Sequence, residues 1–408
     1  MKILVVCDGF PPEFAPRMGY LCKYLSRMNC TAEVVCEQYS DDRRFDFLSD
    51  ATSRVKRIRF FRSLKMPKPR AEWGTLMLRD LFFHYKDKRL VREIKKDTSF
   101  TGYDLVLCST CRTFPLRAAA SLAKHFRVPL VADLRDIGEQ YPDNSYLAHR
   151  LPFASFFIRH QLKERNRVLK KAAAVVSVSE WHRDFLKRFN NNTHLIYNGY
   201  DQELFFPDHR HDSCFRIVFT GSIIHSTLRN PDWVFEAVSR LKKEGVISAS
   251  DFRLCWYVEA AGKPILQNLA QKYGIEEVSE CYDFIPATEV PALLNRSSIL
   301  LQLSNIADAK GPKGIMTTKI FEALAVGKPL LLVRSDESYL AALIERYHCG
   351  LAAQNVESVM EFIKAQYQKW KQTGSTAIAV APEIGRLYSR AGQAQQFLQL
   401  FKQILKDG

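Results

Sequence analysis

Thr317, Thr318 and Lys319, followed by Glu322, stand where a glycine-bearing loop, Gly311-Pro-Lys-Gly314-Ile-Met, runs into an apolar helix that closes at Gly327-Lys-Pro329. Threonine hydroxyls, free first-turn N–H groups and the positive end of the helix dipole together favour a pyrophosphate, and Lys319 adds a full charge in the same turn. One turn further, Glu322 is placed to accept hydrogen bonds from ribose hydroxyls. Other phosphate devices are missing. There is no Walker loop, and the first strand ends in Asp8-Gly9-Phe10-Pro11-Pro12-Glu13 without a Gly-x-Gly-x-x-Gly fingerprint, so ATPase and hydride-transfer chemistry lose their usual support. No Asp-x-Asp motif holds a divalent metal against a diphosphate, and no metal is expected. A threonine-capped helix with one Lys and one Glu is, taken alone, most often only a helix. Cys108-Ser-Thr-Cys111 has the spacing of a redox pair or half a zinc site, but no partner pair follows and the first Cys closes a strand instead of opening a helix. His209-Arg-His211 reads as solvated linker.

Apolar runs of strand length alternate with amphipathic runs of helix length, the pattern of parallel sheets covered on both faces. Strands are expected over 2–7, 31–36, 105–109, 130–133, 174–178 and 194–197, and then over 216–220, 252–257, 281–285, 299–303 and 329–334. The polar stretch 198–214, with Gly199 and Pro207, lacks both periodicities and reads as the connection. The expectation is an α/β chain of two Rossmann-like, doubly wound parallel-sheet domains, 1–200 and 201–381, facing across a cleft. Ligands of such sheets bind beyond the carboxyl ends of the strands. Residues 382–405 are helical by pattern, and 382–408 is expected to return towards the first domain.

With 408 residues and 47% hydrophobic content, the chain is too long for one core and too apolar for disorder. Its first apolar run is too short for an export signal, and no uncharged run reaches the length of a spanning helix, so a cytoplasmic protein is expected. Ten cysteines, several inside apolar strands (Cys7, Cys36, Cys255), fit a reducing compartment. The net charge of +15 is uneven: residues 54–96 carry fifteen Lys or Arg against four Asp or Glu, interleaved with Phe60, Phe61, Met66, Trp73, Leu76, Met77, Leu81, Phe82 and Phe83. That mixture suits peripheral contact with an anionic membrane; the alternative is a solvated basic face over ordinary core aromatics.

Motifs along nearly the whole chain resemble, in order, those of the retaining GT-B glycosyltransferases of family 4. Phe10-Pro-Pro and Gly19 resemble the first loop. Val131-Ala-Asp133-Leu-Arg135-Asp136 is similar to the family's D-x-R-D strand end, and Val176-Ser-Val-Ser179-Glu180 to its V-x-V-S-E/D strand. Ile196-Tyr-Asn198-Gly199-Tyr-Asp201, with Phe205 beyond, resembles the domain junction. Phe219-Thr-Gly221-Ser222 is similar to the opening of the second domain, and Thr318-Lys319-Ile-Phe-Glu322-Ala-Leu-Ala-Val-Gly327-Lys-Pro329 to x-K-x-x-E-x-x-A-x-G-x-P. The resemblance implies that Gly221 and Ser222 let their loop approach the donor, that Arg229 and Lys319 neutralise the diphosphate, with Thr318 beside them, and that Glu322 holds the ribose. Phe284 and Ile285 fall where the family flanks the base, although core packing explains Phe284 equally well. In the first domain, Asp136 and Asp133 are the catalytic candidates, steering the acceptor hydroxyl or the charge developing on the sugar. Pairing of Arg135 with an Asp is the structural alternative. Arg17, Gly19 and Arg135 are expected at the acceptor rim. Where many members carry a further Glu eight residues before the ribose-binding one, this chain has Gly314.

The resemblance implies a hexosyltransferase-type enzyme that moves a sugar from a nucleoside-diphosphate sugar to a hydroxyl with retention, needing no cofactor or metal. The acceptor is expected to be a lipid-linked glycan of the bacterial surface, such as lipopolysaccharide or capsule, at the inner face of the cytoplasmic membrane. Rival readings are a catalytically inactive GT-B scaffold, which Gly314 keeps open, a nucleotide-sugar epimerase, which needs acid/base groups around the sugar, and a basic nucleic-acid-binding protein, for which no reader motif is found.

Overall fold

Short aliphatic runs such as Lys2-Ile-Leu-Val-Val-Cys7 bury both faces of each strand, which only a parallel sheet sandwiched between helices allows. The structure is a computed structural model that describes all residues except 40–42, 44, 50, 65–69, 141–153, 209–212, 224–228, 305–312, 335–337 and 408. His209-Arg-His211, Gly311 and Met66 lie outside the described residues.

Two units are present, Met1–Asn198 with Arg390–Gly408, and Gly199–Ser389. The first runs β1 (Lys2–Cys7), α1 (Pro16–Ser26), β2 (Thr31–Gln38), β3 (Arg54–Arg59), α2 (Arg70–Phe83), α3 (Tyr85–Lys96), β4 (Leu105–Thr110), α4 (Leu116–Phe126), β5 (Leu130–Leu134), α5 (Ala154–Leu169), β6 (Ala174–Ser177), α6 (Glu180–Leu186) and β7 (Thr193–Leu195). Its seven strands form one sheet in the order β3-β2-β1-β4-β5-β6-β7, every pair parallel. Alternation sends Ile3, Val5 and Cys7 into a layer with α1, and Leu4 and Val6 into a layer with α3 and α4.

The second unit runs β8 (Phe215–Thr220), α7 (Asp232–Lys243), β9 (Phe252–Tyr257), α8 (Lys263–Tyr273), β10 (Ser279–Tyr282), α9 (Val290–Asn295), β11 (Ile299–Leu303), α10 (Thr318–Val326), β12 (Leu330–Val333), α11 (Ser338–Tyr347), β13 (Gly350–Ala353), α12 (Val356–Thr373) and α13 (Pro382–Tyr388). Its six parallel strands are ordered β10-β9-β8-β11-β12-β13. Trp256, wholly buried, stacks on Phe235 of α7 with ring centroids 5.3 Å apart. The last helix, α14 (Arg390–Asp407), belongs to the first unit, where Phe397 and Phe401 enter the α1 layer.

The architecture is the expected pair of doubly wound sheets, with local differences. Arg54-Val-Lys-Arg-Ile-Arg59 has no apolar run, yet forms the edge strand β3; Arg54 and Lys56 are neutralised by Asp97 at 2.7 and 3.1 Å. A basic edge also resists pairing with another chain. β13, rich in small residues, was not expected either. Instead of one helix over 382–405 there are two, divided at Ser389, which is extended and bridges Tyr200. All ten cysteines are free thiols. Cys108 is buried in β4 and Cys111 lies beyond its end; the two form no disulfide, and no group of three or more metal-ligating side chains is found among the described residues; burial pushes the Cys22 and Cys36 thiols up to about 12.

Candidate active site

In the second unit, the site begins where β8 ends. Gly221 has φ +153°, and a Cβ there would lie 2.4 Å from the Lys319 Nζ and 3.2 Å from the Phe219 ring. Only glycine fits that backbone so close to an ammonium. The Gly221 N–H donates to the Tyr257 carbonyl at 3.0 Å, tying the loop to the end of β9. The next residue, Ser222, accepts at its carbonyl from the Arg229 guanidinium at 2.9 Å.

α10 opens at Thr318 with Thr317 as its N-cap, and the Thr317 side chain makes no capping hydrogen bond. First-turn N–H groups therefore keep their capacity for an anion. Desolvation pushes the Lys319 ammonium down to about 8; Arg229 adds to the depression, and Glu322 and Glu259 oppose it. Its Nζ stands 5.7 Å from the centre of the Phe219 ring. The structure thus brings Gly221, Ser222, Arg229, Lys319 and Glu322 into one neighbourhood, with Thr318 opening the helix. Gly314 is buried with φ +64°.

Phe284 and Ile285 lie beyond β10, which ends at Tyr282, earlier than the expected 281–285. Phe284 is 55% exposed, so it is no core residue. Beside it, Tyr257 and Tyr282 stack with centroids 4.8 Å apart.

The first unit overturns several expectations. Arg17 is not at a rim: it is 3% exposed at the start of α1. Its guanidinium donates to Asp133 Oδ2 at 3.0 Å and Oδ1 at 2.8 Å, to the carbonyls of Ile196 and Tyr197 at 3.0 Å, and to Asn198 Oδ1 at 3.1 Å. Asp133 is wholly buried, and Ser109 also donates to it at 2.7 Å. Both its oxygens are occupied and no surface reaches solvent, so Asp133 is a structural anion in place of a catalytic one. Gly19 lies inside α1, where a Cβ would be 2.5 Å from Pro11; it lets the loop pack on the helix and does not line a rim.

Arg135 pairs at 2.5 Å with Asp8, at the end of β1, and not with either neighbouring Asp. Asp8 also accepts from Thr110 Oγ1 at 3.2 Å and from the Cys111 N–H at 3.3 Å. Asp136 alone of the two candidate carboxylates is exposed. Crowding protein raises its carboxyl above the ordinary value, with Arg135 and a hydrogen bond to Gln140 opposing. Gln140 Oε1 in turn meets His182 Nε2 at 2.7 Å, and burial holds that imidazole down at about 4, hence neutral.

Sequence reasoning missed Asp8, Gln140, His182 and Glu259, which contact or act on the candidate residues. The signal for Asp8 was its place at the end of the first strand and for Gln140 its position one turn after Asp136; His182 and Glu259 gave none, because their partners Gln140 and Ile223 are distant in sequence.

Residues 17–204 match the profile of Glycosyltransferase Family 4, and residues 214–368 that of Glycosyl transferases group 1. No curated protein matches the sequence. Among solved structures, sucrose-phosphate synthase from Thermosynechococcus elongatus superposes with a TM-score of 0.67 at 13% identity, covering 100% of both chains. A glycosyltransferase from Rickettsia africae gives 0.65 at 15% identity over 100% of this chain and 99% of that one. Anabaena Alr3699/HepE in complex with UDP-glucose gives 0.65 at 16% identity over 99% and 100%.

Proposed function

The chain belongs to the family 4 glycosyltransferases of the GT-B fold, and we propose that it transfers a sugar from a nucleoside diphosphate to a hydroxyl with retention, without a metal ion. The observation that carries the donor assignment is the grouping of Lys319 and Arg229 with the uncapped N-terminus of α10 beside Gly221. The partly desolvated Lys319 ammonium, the exposed Arg229 guanidinium and a helix N-terminus stabilise the negative charge that gathers on a leaving diphosphate, and they need no reorganisation as it forms. The structurally similar Anabaena Alr3699/HepE is in complex with UDP and with UDP-glucose, which supports a uridine donor for this chain. Glu322 receives the ribose hydroxyls, and the exposed Phe284 flanks the base with Ile285. In the family mechanism an oxygen of the diphosphate takes the acceptor proton, so no strong protein base is required. Asp136 is the carboxylate we assign to the acceptor hydroxyl.

For the acceptor, we read a lipid-linked glycan at the inner face of the cytoplasmic membrane, part of a bacterial surface polysaccharide. What supports it is α2, where Trp73, Leu78, Phe82 (69%) and Phe83 (64%) are exposed beside Arg70 and Arg79. Phe60, Phe61 and Leu76, by contrast, are core. No helix among the described residues is long and apolar enough to cross a membrane.

The test is calorimetric binding of UDP, GDP, ADP and CDP to the wild type, Lys319→Ala and Glu322→Ala, in EDTA. One diphosphate should bind the wild type and lose at least tenfold in affinity in both variants, about 1.4 kcal/mol each. Wild-type affinity that appears only on adding Mg²⁺ removes the metal-free reading; variants that bind like wild type remove the site.

A further inference from the structure

Glu259 lies two residues past β9, in Tyr257-Val-Glu259-Ala-Ala-Gly262, and no motif draws attention to it. Its Oε1 accepts the Ile223 N–H at 2.9 Å, which fixes the loop that carries Gly221 and Ser222. Its Oε2 is enclosed and meets no hydrogen-bond donor among the described residues. An enclosed carboxylate oxygen without a donor is costly unless a cation faces it.

Lys319 is the complementary case. Its ammonium makes no hydrogen bond among the described residues, stands over the Phe219 ring, and presses on Gly221, whose loop Glu259 holds. The charged groups that face it are Arg229, of the same sign, and Glu322 and Glu259, of the opposite sign. Glu322 comes from the lysine's own helix; Glu259 is the anion supplied by another element.

We propose that Glu259 is a positioning residue of the donor site, whose carboxylate fixes the 221–223 loop against which the Lys319 ammonium lies and supplies a counter-charge to that ammonium. This rests on the donor-site reading above. In the empty site Glu259 and Glu322 offset the repulsion from Arg229; when a diphosphate enters, the ammonium gains a stronger anion. Glu259 then repels that diphosphate, so its value lies in keeping Lys319 charged near neutral pH and not in added affinity. Loss of the carboxylate therefore moves the pH at which the lysine discharges, and with it the pH at which donor affinity fails.

Glu259→Gln keeps an oxygen for the Ile223 N–H and removes only the charge. The experiment compares wild type and E259Q, as full chains, by two readouts over pH. One is the acetylation rate of Lys319 by acetic anhydride, followed by mass spectrometry; the other is the affinity for UDP. In E259Q the acetylation midpoint should fall by about half a pH unit, which makes Lys319 about threefold more reactive near neutrality. The UDP affinity should fail at correspondingly lower pH, while well below the midpoint E259Q binds UDP at least as tightly as wild type. In a Lys319→Arg background, where the cation cannot discharge, E259Q should leave the pH profile unchanged. Coincident acetylation midpoints overturn the proposal and leave Glu259 a loop cap. Should UDP not bind the wild type, the functional reading falls while acetylation still decides whether Glu259 sets the charge of Lys319.

Discussion

Lys319 holds its charge at a cost. Desolvation has pulled the ammonium from the ordinary lysine value to about 8, so between that pH and the unfolded value the folded chain binds fewer protons than the unfolded one. Stability then rises with pH through that window, and at neutral pH the charge is a liability to the fold that binding an anion removes. Replacing it with Met should raise the melting temperature by about 2–4 °C while abolishing UDP binding. An unchanged or lower melting temperature counts against a strained cation. In the wild type, UDP affinity should hold below pH 8 and decline above it, and calorimetry in buffers of different ionisation enthalpy should show proton uptake on binding there. Arg17 and Asp133 form the opposite kind of pair, buried and fully hydrogen-bonded. Arg17→Ala and Asp133→Asn should each destabilise the chain by about 3–5 kcal/mol, since each strands the other's charge or polar groups. The catalytic reading of Asp133 instead predicts lost turnover in D133N at an unchanged melting temperature. That Lys319 and Glu322 share a neighbourhood was legible because they lie within one turn of one helix. Arg17 was misread because its partners stand 116 and about 180 positions away, so that nothing local separates a buried guanidinium from an exposed one.

At the scale of elements, strands buried on both faces announced themselves as aliphatic runs, and those that depend on neighbours did not. β3 is a strand because β2 offers its edge and Asp97 neutralises two of its basic side chains. The division of the C-terminal segment was hidden for a similar reason. Its apolar periodicity continues through residue 389, but the Tyr388 carbonyl accepts from the Tyr200 N–H at 3.0 Å and Ser389 is drawn into a bridge, which ends α13. α14 consequently serves the first unit, and its Phe397, Leu398, Leu400 and Phe401 complete the layer under α1. A chain ending at Ser389 should leave that layer open. A single Phe401→Ala change should already cost about 3–5 kcal/mol. The check is dye binding to exposed apolar surface together with urea unfolding of F401A; native-like stability in F401A would show that α14 is an ornament on the first unit.

Over the whole molecule, net charge and chemistry separate into two kinds of anion binding that respond differently to salt. The excess of +15 is concentrated in residues 54–96, where Arg70, Arg79, Lys88 and Arg92 are exposed around the aromatics of α2. Exposed charges act through solvent and are screened beyond about 8 Å at physiological ionic strength, whereas the partly desolvated Lys319 is screened much less. Raising salt should therefore weaken binding to vesicles of anionic phospholipid far more than it weakens binding of UDP. The apolar contribution separates the membrane from any other polyanion: each exposed phenylalanine that enters the interface contributes up to about 1.5–3 kcal/mol. Phe82→Ser with Phe83→Ser should accordingly reduce anionic-vesicle binding at least tenfold at fixed salt, with UDP affinity and melting temperature unchanged because neither ring packs in the core. Duplex DNA supplies the same charge with no apolar phase for those rings. If the double variant loses vesicles but responds to duplex DNA as the wild type does, the aromatics of α2 read a lipid surface; if its vesicle binding is unchanged, the basic face is only a solvated one.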